Sequence, residues 1–475
     1  MATNVKTRVE SDLLGSVDVP SDVLYGVQTM RGIENFPISK FHLNEYPAFI
    51  RGLAMTKLGA AMANHELGLL PDQMFEAIAQ ACREIMDGKH HEFFPVDMIQ
   101  GGAGTTTNMN ANEVIANRAL QIMGHEAGEY QYCSPNDHVN CAQSTNDAYP
   151  TAIHLGLYAT HLKLQEHFAA LIESFQKKAD EFAGIVKMGR TQLEDAVPMT
   201  LGQTFSGFAS ILRDEVKNLD FAAQEFLTIN MGATAIGTGI CAEPGYAEKC
   251  TAAIASITGW DIKLSGDLVG ATSDTSCMAG YAAAMKRVAL KMNKICNDLR
   301  LLASGPRCGL GEINLPARQP GSSILPGKVN PVIPEVMNQV AYKVIGNELC
   351  VAMSCEAAQM ELNAMEPVMA QCCFESAELL MNGFDTLRIR CIDGITANVE
   401  KCLSNVRNSI GIVTALNPII GYKNSTKIAK EALESGRGVY ELVLEHGVLT
   451  KDELDEILKP ENMIRPVKLD IKPRR

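Results

Sequence analysis

The sequence predicts a mainly α-helical protein of three domains built around a central bundle of long helices. Its apolar mass is carried by Ala, Leu and 22 Met, while only 6% of the 475 residues are aromatic. Unbranched side chains lose less rotamer freedom in a helix than β-branched or aromatic ones. Three stretches also repeat apolar residues at spacings of three, four and seven, the signature of one buried helix face. The flanks differ, with shorter patterns broken by Gly and Pro.

Residues 1–143 combine shorter patterns with the block Gly101-Gly102-Ala103-Gly104-Thr105-Thr106-Thr107-Asn108, and form a mixed, mostly helical N-terminal domain. Residues 144–403 are the central domain. Its first stripe is Ile153, Leu157, Leu164, Phe168, Leu171, Phe175, Phe182, on a helix starting near Pro150. The second is Met285, Val288, Met292, Ile295, Leu299, Leu302; the third runs from Pro334 through Met337, Val340 and Val344 to Val351. Helices of about 30 residues with such seams pack as bundles, and their length invites partner subunits. After about residue 404, short helical pieces separated by Asn417-Pro418, Gly421, Gly436 and Gly447 form a small C-terminal domain. The basic end (Lys468, Lys472, Arg474, Arg475) is expected to be a solvated, frayed tail.

Forty-two basic against 55 acidic side chains give a net charge of −13, which suits neither nucleic acid nor bulk phosphate. Met1–Asp18 lacks the apolar core of a signal peptide, and no uncharged apolar run reaches the ~18 residues of a membrane span. Fourteen cysteines without a C-x-x-C pair point to free thiols in a reducing cytoplasm rather than to disulfides or a metal site.

Four segments hold small polar groups where a helical protein is otherwise apolar. Gly101–Asn112, taken alone, reads as a loop that caps the helix opening at Asn112. Gln143-Ser144-Thr145-Asn146-Asp147 offers hydroxyls and backbone amides to a carboxylate, or simply caps a helix. Gly189–Ala196 mixes donors with two acids in what reads as a helix-ending turn. Gly321-Ser322-Ser323-Ile324-Leu325-Pro326-Gly327-Lys328-Val329-Asn330-Pro331 is not a phosphate loop, because five residues separate its glycines and Val329 follows the Lys. Its two glycines around a Ser pair indicate a mobile flap over 319–332, with Lys328 and Asn330 facing the same way. His138 reads as structural or as part of a secondary site, and His161 as a packed core residue.

In this order and spacing, the segments resemble the fumarase/aspartase superfamily of lyases along essentially the whole chain. The flap G-S-S-x-x-P-G-K-x-N-P is the most specific signature and Gln-Ser-Thr-Asn-Asp the second. Gly128–Tyr132, Gly189–Ala196 and Leu362–Pro367 look like its aspartate ammonia-lyase branch. The resemblance implies reversible anti elimination of ammonia from L-aspartate to give fumarate through an aci-carboxylate. No cofactor or metal is required, and the enzyme is a homotetramer whose active sites each draw on three subunits. By this carry-over Ser322 is the general base, activated with help from Lys328. Thr105, Ser144, Thr145 and Ser323 hold the carboxylate beside the departing proton, Lys328 and Asn330 the other one, and Asn146, Thr191 and Gln192 surround the amino group. Fumarases place His where Gln192 stands, paired with a Glu that remains here as Glu335; Gln cannot shuttle a proton, which argues against the alternative, a class II type fumarate hydratase. Glu194 replaces a common Gln of the aspartase branch and is expected to point away from an anionic substrate. A catalytically inactive helical scaffold, the third reading, would have lost Ser322, Lys328 and Asn330, which are in place.

Overall fold

The computed structural model describes residues 6–474. Near the N-terminus, β1 (Thr7–Asp12) and β2 (Gly15–Pro20) form an antiparallel hairpin. Helices α1 (Val27–Asn35), α2 (Pro47–Glu66), α3 (Asp72–Met86) and α4 (Thr105–Ile122) follow. Next come the long α5 (Thr145–Glu181), a second hairpin of β3 (Val186–Thr191) and β4 (Glu194–Thr200), and α6 (Leu201–Ala223). After α7 (Tyr246–Thr258) and the short α8 (Leu268–Ser273) come the long helices α9 (Ser276–Leu302), α10 (Val332–Glu356) and α11 (Glu366–Arg390). The chain ends in α12 (Val399–Asn408), α13 (Asn417–Ser435), α14 (Val439–Glu445), α15 (Lys451–Ile457) and α16 (Pro460–Met463). The three sequence stripes fall on α5, α9 and α10, with Phe182 just past the end of α5, and all their members except Pro334 and Val340 are hydrophobic side chains in the core.

The chain divides into two compact units, each assembled from three segments. The first comprises Met1–Glu166, Glu215–Leu290 and Ala341–Met381; the second comprises His167–Asp214, Lys291–Val340 and Asn382–Arg475. In the first unit Phe49 stacks on Phe374 at 5.3 Å and meets Tyr149 at 5.6 Å, while Ile229, Met231, Tyr246 and Ile254 fill a second cluster. Fully burying such side chains stabilises by about 1.5–3 kcal/mol each. Helix α1 carries no capping side chain of its own. Its open N–H groups are met by Glu113 of α4, which accepts from the amides of Gly26, Gln28 and Thr29 and from the Thr29 hydroxyl. A carboxylate at a helix N-terminus is favoured by the same dipole that orients those amides.

In the second unit Phe168 stacks on Phe384 at 4.9 Å, and Phe205 packs between Phe175, Phe182 and Phe208. The C-terminal helices have their own core, with Leu416, Ile420, Leu442, Val443 and Leu454 around Met188 of β3. The C-terminal tail is not frayed as its basic composition implied. Arg474 donates its backbone N–H to Ile419, and its guanidinium bonds Val448 O and Glu453; Arg475 lies outside the described residues. Among the described residues no helix is long and apolar enough to cross a membrane.

Candidate active site

The residues singled out from sequence divide between the two units. In the first, Thr105 opens α4 and Ser144, Thr145 and Asn146 open α5. Gly104, the residue before α4, has φ 89° and faces the Tyr149 ring so closely that an added Cβ would lie 2.4 Å from it. Only Gly meets both demands. Gly104→Ala is therefore expected to cost about 2–3 kcal/mol of stability, measured by denaturant titration, and to displace Thr105.

Helix α5 begins at Thr145, not near Pro150, and Pro150 lies inside it. A proline in a helix leaves the carbonyl four residues earlier without its donor. That carbonyl belongs to Asn146, and the Asn230 side-chain amide fills the gap at 3.1 Å. The Asn146 Nδ2 donates to Ala235 O at 2.6 Å, which leaves Oδ1 as the acceptor presented outward. The Asn146 amide is thus fixed in an orientation that leaves its oxygen as a hydrogen-bond acceptor. Thr145 Oγ1 accepts from Asn108 Nδ2 at 3.2 Å, and Asp147 accepts from the backbone amides of Ser144, Gly232 and Thr234. Burial pushes the Asp147 carboxyl up, and these donors together with Lys57 pull it back.

In the second unit Gly189–Ala196 is a β-hairpin instead of the helix-ending turn its composition implied. Gln192 (φ 55°) and Leu193 (φ 67°) form its two-residue turn, both in the left-handed region, the geometry that matches strand twist in tight hairpins. Thr191, Gln192 and Glu194 are exposed at this tip. Beneath it, the fully buried Glu312 pairs with Arg190 at 2.9 Å and Lys187 at 3.3 Å, anchoring β3.

The flap closes on itself. Gly321 N donates to Lys328 O at 2.7 Å, and Asn330 Nδ2 donates back to Gly321 O. An added Cβ at Gly321 would meet Lys328 O at 2.4 Å, so the closure requires Gly there. Within the loop the Ser322 Oγ accepts from the amides of Leu325 (2.9 Å) and Ile324 (3.2 Å). Lys328 and Asn330 line a cleft of about 550 Å³ together with Arg300, Ser304, Asn314 and Asn398. Ser323 is exposed, and Glu335 is half-buried in the first turn of α10.

His138 is occupied structurally: its Nδ1 accepts from Ser134 N at 2.8 Å within the wide turn Pro135–Val139. His161 is fully buried, 3.3 Å from the Tyr281 hydroxyl. Cys277 lies 3.2 Å from His154 Nε2, yet burial pushes the thiol up and the imidazole down to about 4, so the pair is neutral. Sequence reasoning missed Lys57, Asn140 and Glu312. The available signal for Lys57 was a lone charge within the apolar run Leu53–Ala63 of α2.

The chain matches the family described as Lyase over residues 15–346 and the family described as Fumarase C C-terminus over residues 412–465. It is 56% identical over 467 residues to the aspartate ammonia-lyase of Pseudomonas aeruginosa, covering 98% of both chains. To the aspartate ammonia-lyase of Escherichia coli it is 53% identical, covering 98% of this chain and 97% of that one. Among solved structures, the cobalt-bound fumarate lyase:delta crystallin of Brucella melitensis superposes with a TM-score of 0.94 at 50% identity, covering 97% of this chain and all of the other. The class II fumarase of Schistosoma mansoni superposes at 0.91 with 34% identity, covering 96% and 99%.

Proposed function

The chain belongs to the aspartate ammonia-lyases of the fumarase/aspartase superfamily, and from that membership we propose how its residues carry out the reaction. It is a carbon–nitrogen lyase that takes ammonia from L-aspartate and leaves fumarate. The proton departs from the carbon beside one carboxylate and builds a second negative charge there. Fixed donors aimed at developing charge supply the largest catalytic effect in such steps. In our reading Thr105, Ser144, Thr145 and Ser323 are those donors, Lys328 and Asn330 hold the other carboxylate, and Asn146, Thr191 and Gln192 surround the amine. Ammonium leaves as ammonia without prior protonation, so the step needs neither a strong general acid nor a cofactor.

The observation that carries the mechanism is the Ser322 hydroxyl, held by two backbone amides. An ordinary serine is too weak an acid to become a base. Two N–H donors on its oxygen favour the alkoxide, as hydrogen bonds to a charged form do generally. Lys328, the α10 dipole and exclusion of water on closure add to this. Ile324, Leu325 and Val329 on the flap are 84%, 53% and 53% exposed. Such apolar surface supports a flap that closes against other parts of a homotetramer, with each site drawing on three subunits. The same reading keeps three domains, with boundaries near residues 143 and 403, and a cytoplasmic location for a chain with 14 free cysteines.

The test is absorbance near 240 nm, where fumarate absorbs, with L-aspartate and then L-malate. We expect a rise with aspartate alone, with ammonia released in equal amount. A rise with malate alone would make the enzyme a fumarase and would show that Gln192 does not decide the substrate.

A further inference from the structure

We propose that Lys57 is a positioning residue for substrate binding, acting through Gln143 and Asn140 on the helix start that presents Ser144, Thr145 and Asn146. The inference rests on the reading above that this segment faces L-aspartate. Lys57 sits on α2 with no exposure, among apolar neighbours, and burial pushes its ammonium well below the usual lysine range. Burying an ammonium is costly unless its protons find partners. The Nζ donates to Gln143 Oε1 at 2.8 Å and to Asn140 Oδ1 at 3.0 Å.

Both acceptors belong to the turn that leads into α5. Asn140 Oδ1 also receives Asn112 Nδ2 at 3.1 Å and Asn108 Nδ2 at 3.2 Å, and Asn140 Nδ2 returns to Gln143 O. Asn108 in turn holds the Thr145 hydroxyl. On the far side of the same segment, buried Asp147 grips the Ser144 amide and the loop amides of Gly232 and Thr234. The segment that meets substrate is therefore suspended between the buried Lys57 amino group and the buried Asp147 carboxyl. Nothing in this arrangement lets Lys57 touch substrate: it fixes the groups that do. Cys82 and Cys250, the other titratable groups around it, are buried thiols pushed up to about 12 and so uncharged at neutral pH. Asp147 is the carboxylate whose charge favours the ammonium there.

The experiment is steady-state kinetics of the intact enzyme with Lys57→Met, Gln143→Leu and the double variant, and with Ser144→Ala as control. Each single variant is expected to raise KM for L-aspartate about tenfold while kcat falls less than about threefold. The double variant should be no worse than the worse single one, because both act along one route. Gln143 is half-buried, so its variant decides the matter if Lys57→Met does not fold. An unchanged KM in Gln143→Leu, or fully multiplicative effects in the double variant, overturns the proposal. If Ser144→Ala also leaves KM unchanged, the placement of the segment at the substrate fails, and the role of Lys57 falls with it.

Discussion

Ser322→Ala is expected to leave assembly and melting temperature unchanged and to lower kcat by about three orders of magnitude, near the upper range for loss of a general base. The loop does not depend on the hydroxyl for its shape. Gly321, Lys328 and Asn330 close it through backbone and amide contacts. The Ile324 and Leu325 amides that lose an acceptor lie on an exposed loop where water replaces it. The loss should therefore appear in turnover and not in stability. Thermal melting with 240 nm kinetics on the same preparation separates the two. Turnover near the wild-type level would remove Ser322 from its role and turn attention to Ser323.

Lys328→Met is expected to lower kcat/KM about a hundredfold, with most of the change in KM. The Lys328 carboxylate partner is one that does not change during the reaction, so its ion pair is equally strong in ground and transition states, and uniform binding of this kind appears in KM. A hydrogen-bonded charge pair withdrawn from water is worth about 3 kcal/mol, which sets the factor. Lys328 is exposed on the flap, so stability should change little. A kcat effect larger than the KM effect would instead assign Lys328 chiefly to activating Ser322.

The long helices were legible because α5, α9 and α10 repeat their buried residues at helical spacing over many turns. The β3–β4 hairpin was not. Val186, Lys187, Met188 and Gly189 are all buried, so β3 lacks the in–out alternation that marks a strand, and its turn is made by Gln192-Leu193 with no glycine. The start of α5 was misjudged for a related reason. A proline normally marks the first turn of a helix, and the compensation at Pro150 comes from Asn230, 84 residues from the Asn146 whose carbonyl it meets.

The polar segments were legible as candidates from their hydroxyls and amides, although helix capping accounts equally well for the one that opens α5. What sequence could not reveal is how those groups are held. Lys57 reaches Gln143 across 86 residues of chain, and Glu312 reaches Arg190 from a loop far along the sequence. Such partners have no local spacing rule. The orientation of Asn146, which decides whether it offers an acceptor to an amine, likewise depends on a carbonyl at Ala235.

The central claim is that Ser322 removes the proton and that the donors around Ser144 and Thr145 hold the aci-carboxylate that results. It is tested most directly with an aspartate analogue whose reacting carboxylate is replaced by a nitro group and ionised to the nitronate, a planar mimic of that intermediate. Because the proton is already gone, the analogue should bind at least about a hundredfold tighter than L-aspartate, both to the wild type and to Ser322→Ala. It should lose most of that advantage in Ser144→Ala and in Thr145→Val. Binding no tighter than aspartate, or affinity lost with Ser322→Ala and retained in the other two variants, would contradict the account.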